Sequence, residues 1–273
     1  MDISVLGPLE IRIDGNFIVP SAGKPRQLLA LLALRAGRIV QVPTLMEEAW
    51  GARIPRSAQT TLQTYVLQLR RRIAAALPAG APQTAKEVLA TRLGGYQLTG
   101  AVHDSDLRTF QRLTAEGSAA LDAGDARRAS DALGRALRLW RGPALADVPV
   151  GPVLETEVLG MDEARTRTVE LRVEADLQLG RHAEILGELR MLTARHPLHE
   201  NFSAQLMIAY YRSGHTWRAL ETYQRLRGAL VGELGVEPSR RVQRLHQLVL
   251  GGSPGPLRAD LPELPEFALE VSR

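Results

Sequence analysis

The fold is indicated most clearly by residues 55–73, which read PRSAQTTLQTYVLQLRRRI. At about 100° per residue, a helix over this stretch places several large apolar side chains in one stripe suited to a core. That stripe contains Leu62, Val66, Leu69 and Ile73. Ser57, which follows Pro55, is a candidate N-cap. The periodicity therefore predicts an amphipathic helix with one buried face.

The opposite face of this helix is polar and has the chemistry of a DNA-reading surface. It carries Thr60, Thr64, Gln68 and Arg71. Hydroxyl and amide groups can pair with base edges, and a guanidinium can reach phosphate or guanine. An ordinary surface helix with a solvated polar face would show the same pattern. The neighbouring sequence is therefore needed to choose between the two.

The composition is that of a mixed globular protein of two domains. The chain has 273 residues, of which 45% are hydrophobic, 23% are charged and 4% are aromatic. It contains no cysteine, which excludes a disulfide framework and a thiolate metal site. The sequence contains neither a signal-peptide pattern nor the run of about 20 apolar residues needed to span a bilayer. We therefore expect a cytoplasmic protein with no membrane partner.

Positive charge is concentrated in the first hundred residues. Residues 1–100 hold 12 Lys and Arg against 6 Asp and Glu, a net charge of +6. Residues 101–273 hold 22 basic and 24 acidic residues, a net charge of −2, so the chain as a whole carries +4. Phosphate binding requires such a basic region, although small basic domains without an acidic ligand are common.

The elements predicted in this basic region follow the order of a winged helix-turn-helix. Strands are expected at residues 3–6, 9–13 and 17–19, helices at 24–36, 44–50 and 55–73, and two strand-like runs within 88–98. Asp14-Gly15 and Gly94-Gly95 mark the two hairpin turns. In such a fold the third helix enters the major groove, and the wing can place an arginine, here Arg92, in the adjacent minor groove.

Six motifs of the chain resemble the Streptomyces antibiotic regulatory proteins, a family of pathway-specific transcriptional activators. They are Leu6-Gly7-Pro8-Leu9, residues 23–32 (GKPRQLLALL), Trp50-Gly51, residues 61–66 (TLQTYV), Leu69-Arg70-Arg71 and Gly95-Tyr96-Gln97-Leu98. The resemblance extends to about residue 250. It implies an α+β fold, an OmpR-type winged helix-turn-helix, followed by an all-α bacterial transcriptional activator domain of tetratricopeptide-like helices.

The same resemblance implies a set of DNA-binding residues. They are Trp50, Thr60, Gln63, Thr64, Tyr65, Gln68, Arg70, Arg71 and Arg92. Thr60, Thr64 and Gln68 would face the groove, Arg92 would be the minor-groove residue of the wing, and the phosphates would lie near Trp50, Tyr65, Arg70 and Arg71. In the wider OmpR class, arginines often occupy the groove-facing positions where this chain has Leu67 and Gln68.

Some of these residues also have a structural interpretation. Trp50 and Tyr65 could fill the core between two helices. The run of arginines at 70–72 lies in the C-terminal half of the helix, where positive charge stabilises the helix dipole. Lys24 could contact the DNA backbone or could equally be a solvated residue at the start of its helix.

A helical repeat is predicted after residue 103. Gly180 and Gly214 stand 34 residues apart, which is the tetratricopeptide period. The matched pairs that follow are Leu186 and Leu220, Leu189 and Tyr223, and Leu192 and Leu226, and Gly124 with Arg128-Ala129 repeats the spacing of Gly214 with Arg218-Ala219. Each glycine would open the turn between two antiparallel helices. Stacked pairs of this kind bind other chains, whereas a generic helical bundle is the alternative.

Signatures of catalysis and of metal binding are weak. Gly23-Lys24 is followed by Pro25, and no glycine-rich phosphate loop precedes it. His196 and His199 lack the order of a zinc-protease motif, and the family resemblance interprets them as a helix start. The acidic constellation of a phosphoacceptor domain is not found either. We therefore expect no enzymatic activity, no catalytic residue, no cofactor and no metal.

Three segments are predicted: a winged-helix DNA-binding domain at 1–100, a bacterial transcriptional activator domain at 104–250, and a flexible tail at 251–273 that begins with Gly and Pro. The family resemblance implies a nucleoid-associated activator of an antibiotic biosynthetic gene cluster. It would bind tandem direct repeats of double-stranded DNA as a homodimer and recruit RNA polymerase holoenzyme with its sigma factor. Two alternatives remain: a helical-repeat scaffold that binds proteins, and a repressor with the same DNA-binding half.

Overall fold

The computed structural model describes residues 1–99 and 104–251. These residues form two compact units, the first of which is Met1–Arg172 while the second begins at Val173. The first unit contains the predicted winged helix together with the first helices of the predicted activator domain. The predicted boundary at residues 100–104 therefore lies inside one compact unit.

A small N-terminal sheet opens the first unit. Its strands are β1 (Asp2–Ser4), β2 (Glu10–Ile13), β3 (Asn16–Phe17) and β7 (Asp104–Ser105), in the order β3-β2-β1-β7. Asp14 and Gly15 turn the β2–β3 hairpin with φ of 49° and 78°, which confirms the predicted turn. The two-residue strand β7 pairs with β1 in parallel and was not predicted, because so short a strand has no periodicity.

Three helices follow, and they share one hydrophobic cluster with this sheet. They are α1 (Gly23–Leu34), α2 (Val42–Trp50) and α3 (Ala58–Ala76). The whole predicted apolar stripe of α3 is buried, from Leu62 to Ile73. Ser57 occupies the predicted N-cap position of α3. Its side chain, however, makes no capping hydrogen bond. Instead, the Ser57 carbonyl accepts hydrogen bonds from the backbone amide and the hydroxyl of Thr61.

The wing forms where it was predicted, with one strand added, but its turn lies at Leu93-Gly94 and not at Gly94-Gly95. Strands β4 (Ile39–Gln41), β5 (Leu89–Arg92) and β6 (Gly95–Leu98) make an antiparallel sheet in the order β4-β6-β5. A one-turn helix, α4 (Ala85–Val88), precedes β5 and starts with a capping box between Thr84 and Glu87. Hydrogen bonds from Thr84 lower the pKa of Glu87. Neither β4 nor α4 was predicted.

Helices α5 (Asp106–Asp122), α6 (Ala126–Leu137) and the long α7 (Pro152–Gln178) follow the wing. The segment between α6 and α7 runs along the N-terminal sheet. The amides of Arg141 and Leu145 donate to the carbonyls of Leu6 at 2.7 Å and Val5 at 3.0 Å. Phe110 of α5 and Trp140 are buried in contact with one another, within the same hydrophobic cluster that holds the winged helix. The core of the winged helix thus extends into α5 and the segment that precedes α7.

The second unit is helical. After the last turns of α7 it contains α8 (Leu186–Arg195), α9 (Glu200–Arg212), α10 (Thr216–Leu234) and α11 (Arg240–Gly251). Gly180 and Gly214 stand in the turns between helices with φ of 77° and 78°, and Gly124 does the same between α5 and α6 with φ of 75°. A left-handed φ is accessible to glycine at little cost. The predicted role of these three glycines is confirmed.

No helix within residues 1–99 and 104–251 has the length and apolar character needed to cross a membrane. The predicted flexible tail lies outside the described residues, apart from Gly251 at the end of α11.

Candidate nucleic-acid interface

Helix α3 presents a polar face because its opposite face is fixed in the core. Thr60, Gln63, Thr64, Gln68 and Arg71 are all exposed, while the stripe from Leu62 to Ile73 is buried. The Thr64 hydroxyl donates to the Thr60 carbonyl at 3.1 Å, which leaves its oxygen available as an acceptor. The helix therefore cannot rotate without exposing its apolar stripe, and its amide and hydroxyl groups stay directed outward.

Arg70 connects this helix to the wing. Its Nε and Nη2 donate to the carbonyl of Leu89 at 3.0 and 2.8 Å, and Nη2 also donates to the Thr91 hydroxyl at 2.8 Å. The guanidinium of Arg70, which sequence reasoning placed near phosphates, is thus held against strand β5. We assign Arg70 a positioning role between α3 and the wing.

A short chain of hydrogen bonds holds Arg92 beside the tip of the wing. Its Nε donates to Gln97 Oε1 at 2.8 Å, and Gln97 Nε2 donates in turn to the Gly37 carbonyl at 2.8 Å. Leu93, the next residue, is 98% exposed at the turn. Within residues 1–99 and 104–251 no carboxylate forms an ion pair with Arg92 or with Arg71. Their charges are therefore available to an external anion.

Trp50 and Tyr65 stack on one another where α2 meets α3. Their ring centroids lie 6.3 Å apart with an angle of 17° between the ring planes. The Lys24 ammonium lies 4.8 Å from the centroid of the Trp50 ring, a cation–π contact that sequence reasoning did not foresee. Both rings are half-buried against the core. The inner face of each ring therefore fills the space between the two helices, while part of each ring stays accessible to a ligand.

Sequence reasoning missed Glu48, a buried acid of α2 that is 1% exposed. Its carboxylate accepts hydrogen bonds from the Gln27 side chain at 2.6 Å and from the amides of Gly151, Val153 and Leu154 at 2.7, 3.0 and 2.8 Å. The last three amides open helix α7, whose N-terminus favours a negative charge. Helical spacing places Glu48 on the same face of α2 as buried Leu45 and Ala49, but nothing in the sequence indicates that its partners are the amides at the start of α7.

The two histidines near α9 serve a structural purpose. His199 precedes the helix, its Nδ1 accepts a hydrogen bond from the Phe202 amide at 3.4 Å, and its ring stacks on the Phe202 ring with centroids 4.2 Å apart. The predicted helix start is confirmed. In the described part of the chain, no cluster of three or more His, Asp or Glu side chains is arranged to hold a metal ion.

Two families of domains match the chain. Residues 19–98 match the family described as "Transcriptional regulatory protein, C terminal", which covers α1 to the wing. Residues 105–250 match the family described as "Bacterial transcriptional activator domain". The winged helix-turn-helix followed by a helical domain is thereby confirmed as the fold class.

Similar proteins agree with this assignment. The chain is 50% identical over 268 residues to Regulatory protein DnrI of Streptomyces peucetius, covering 98% of each chain. It is 39% identical to Regulatory protein AfsR of Streptomyces coelicolor over 92% of this chain, which corresponds to 24% of AfsR. It is 35% identical to Transcriptional regulator RedD of Streptomyces coelicolor, covering 71% of RedD.

A solved structure supports the fold over most of the chain. Mycobacterium tuberculosis EmbR, in complex with a low affinity phosphopeptide, superimposes with a TM-score of 0.82 at 33% identity. The match covers 91% of this chain and 64% of EmbR. Matched domains and relatives alike are those of transcriptional regulators, and no catalytic family is indicated. The chain belongs to the family of Streptomyces antibiotic regulatory proteins and is a transcriptional activator of the OmpR-type winged-helix class.

Proposed function

We propose that this activator binds DNA in a sequence-specific manner and controls a gene cluster for antibiotic biosynthesis. The observation that carries the proposal is the exposed polar face of α3, which the buried stripe directs outward, together with exposed Arg92 on the wing. The first hundred residues also carry a net charge of +6, which favours association with phosphate.

In this proposal α3 lies in the major groove. Thr60, Gln63, Thr64 and Gln68 contact base edges, where an amide can form a bidentate pair with adenine. Arg71, together with the accessible parts of Trp50 and Tyr65, lies near phosphates. Arg92 enters the adjacent minor groove from the wing. Arg70 supports both elements by keeping the distance between α3 and β5 fixed.

The protein acts at the nucleoid as a homodimer on tandem direct repeats. A head-to-tail pair would space the repeats by about one helical turn, 10 to 11 base pairs, so that both recognition helices meet the same side of the duplex. The helical region contacts RNA polymerase holoenzyme, including its sigma factor. Helical-repeat domains in general present surfaces of the size that such a contact needs.

The test is a selection of random duplex DNA by the purified chain at two salt concentrations, followed by sequencing of the retained duplexes. We expect a tandem repeat at one-turn spacing, with weaker retention at the higher salt concentration. No enrichment at either concentration would overturn the proposal in favour of a protein-binding scaffold.

A matched pair of variants assigns the result to α3. Thr64→Ala combined with Gln68→Ala removes two exposed groups of α3 without touching the core, so enrichment should be lost while the melting temperature stays unchanged. Gln111→Ala removes an exposed amide from α5 and should leave enrichment intact. An equal loss of enrichment in both variants would contradict base recognition by α3.

Recruitment of the transcription machinery needs its own measurement. A gel shift of the protein with the selected operator should gain a slower band when purified RNA polymerase holoenzyme is added, and transcription in vitro from that promoter should rise. A fall in transcript would show the repressor alternative, and no further band shift would contradict direct recruitment.

A further inference from the structure

A groove on the second unit has the walls of a peptide-binding site. It encloses about 670 Å³ between α8 and α10, above α9. Buried Leu206 and Tyr210 line its floor, and Met191 and Trp217 line its walls although each is 62% exposed. Two large apolar side chains exposed beside one concave, partly apolar surface are typical of a site that binds another segment of polypeptide.

The charges around this groove are mostly positive. Arg190, Arg218 and Arg225 line it together with one acid, Glu221, a net charge of +2. Arg190 and Arg225 are exposed. The Nη2 atom of Arg225 lies 3.9 Å from Oε2 of Glu221. The Arg218 guanidinium lies 5.1 Å from the Trp217 ring centroid and 5.8 Å from that of Tyr210. A ligand for this surface must offer carboxylates and apolar side chains in close alternation.

The chain itself contains such a segment. Residues 260–270 read DLPELPEFALE, with four acidic residues and no basic one, a net charge of −4. Between the acids stand Leu261, Leu264, Phe267 and Leu269. The acidic side chains are opposite in charge to the arginines that line the groove, and the apolar side chains suit its apolar floor and walls. We propose that residues 260–270 bind in the groove between α8 and α10 of the same chain.

The path of α11 brings the segment within reach. Tyr223 of α10 stacks on His246 of α11 with ring centroids 3.8 Å apart, and a five-residue connection joins the two helices. From His246, α11 runs back towards the start of α10, and five residues advance it by about 7.5 Å. Gly251 therefore ends near the level of Trp217. The eight residues 252–259 can extend about 26 Å further, enough to cross the start of α10.

This arrangement would close the groove to other chains. An acidic segment of another protein would have to displace residues 260–270, which have the advantage of being attached to the same chain. Attachment through a short linker gives an effective concentration on the order of millimolar. The inference concerns the second unit alone and does not depend on the proposed DNA contacts.

The first test uses a fluorescent peptide of residues 260–270. We expect it to bind a chain that stops at Gly251, and to bind the full chain about tenfold more weakly, because the attached segment competes. Fluorescence anisotropy measures both affinities. Absence of binding to the shortened chain, or equal affinity for both chains, would overturn the proposal.

Charge reversal in the groove supplies the matched comparison. Arg190→Glu with Arg225→Glu in the shortened chain should abolish peptide binding, whereas Arg240→Glu with Arg244→Glu, on exposed positions of α11, should preserve it. Circular dichroism checks that both variants are folded. If both pairs weaken binding equally, the peptide is attracted by overall charge and the groove assignment is wrong.

A second readout does not depend on the isolated peptide. A photo-crosslinking amino acid in place of Phe267 of the full chain should react within one chain, with the peptides that contain Met191 or Trp217, as read by mass spectrometry. Reaction only between two chains would identify a second copy as the occupant and overturn the intramolecular proposal. Reaction only with other parts of the chain would overturn the site.

Discussion

The carboxylate of Glu48, in helix α2, accepts a hydrogen bond from the backbone amide of Gly151 at 2.7 Å. Gly151 directly precedes α7, and a Cβ at this position would overlap the carbonyl oxygen of Glu48. Helix α2 of the winged helix therefore packs directly against the start of α7. The contact is made by the carboxylate and the backbone carbonyl of Glu48 and by the backbone of Gly151. The winged-helix region is not an independent module on a linker, because its second helix supplies the carboxylate that accepts hydrogen bonds from the N-terminal amides of α7.

Glu48→Ala should destabilise the first unit strongly. Three backbone amides lose their acceptor, those of Gly151, Val153 and Leu154, and the Gln27 side chain keeps only its hydrogen bond to the Glu48 carbonyl. An unsatisfied buried donor costs on the order of 1 to 3 kcal/mol, so we expect a loss of about 3 kcal/mol or more in the free energy of unfolding. Urea denaturation measures it.

The neighbouring acid is the control for this loss. Glu47→Ala removes an exposed carboxylate one residue away and should change the free energy of unfolding by less than about 0.5 kcal/mol. Comparable losses for the two variants would show that the contact with α7 is not what stabilises the unit.

Arg92→Ala should weaken operator binding while leaving the fold intact. The side chain is exposed, and its loss removes one hydrogen bond to Gln97. Loss of one groove contact corresponds to about a tenfold rise in Kd. Gel shifts with the selected operator measure the Kd, and Arg127→Ala, an exposed arginine of α6, is the control. Unchanged binding by the Arg92 variant would exclude the wing from the interface.

Gln68→Ala should change base preference more than general affinity. The Gln68 side chain is exposed on the outward face of α3, where an amide can discriminate one base pair by about 1 to 3 kcal/mol. Repeating the duplex selection with this variant should relax the consensus at one position of each repeat. A uniform fall in affinity for all duplexes would argue against direct readout by Gln68.

Arg70 and Arg71 are adjacent in sequence and should behave differently. Arg71→Ala removes an exposed charge and should reduce the salt dependence of operator binding by about one phosphate contact. Arg70→Ala breaks the hydrogen bonds to Leu89 and Thr91, so we expect a lower melting temperature and weaker binding with little change in salt dependence. Operator binding by both variants is measured over a series of salt concentrations. A reduced salt dependence for Arg70→Ala would show that Arg70 contacts a phosphate.

Asp106 gives the first unit a pH-dependent contact. Burial raises the pKa of Asp106, although hydrogen bonds from the amides of Val5 and Leu6 and the charge of Arg141 act in the opposite direction. A folded-state pKa above the unfolded one means that this group's stabilising contribution is complete below the unfolded pKa and is lost as the pH rises through the folded pKa. The wild type should therefore lose stability relative to Asp106→Asn as the pH rises above about 4.

Urea denaturation of both chains over a pH series checks this expectation. The difference between the two free energies of unfolding should change with pH across the titration of Asp106 and then become constant. A difference that is the same at every pH would contradict a shifted pKa at this residue.

Helix α3, the two hairpin turns and the repeat glycines could be predicted because each depends on residues close together in the sequence. The apolar stripe from Leu62 to Ile73 repeats at helical spacing, and Asp14-Gly15 favours one turn type wherever it occurs. Strands β4 and β7 could not be predicted, because neither adjoins a hairpin-turn signal and each depends on a partner strand that is distant in the chain.

The sequence by itself determined the order of the elements and the polar chemistry on α3, since both follow from local periodicity and side-chain type. Only the tertiary structure decided which partners adjacent residues of the same type would find. Arg70 faces β5 while Arg71 faces outward, and Glu48 is buried against α7 while Glu47 is exposed. The physical reason is that a hydrogen-bond partner tens of residues away, not the residue type, determines whether a charged group is satisfied inside the protein or left available to a ligand.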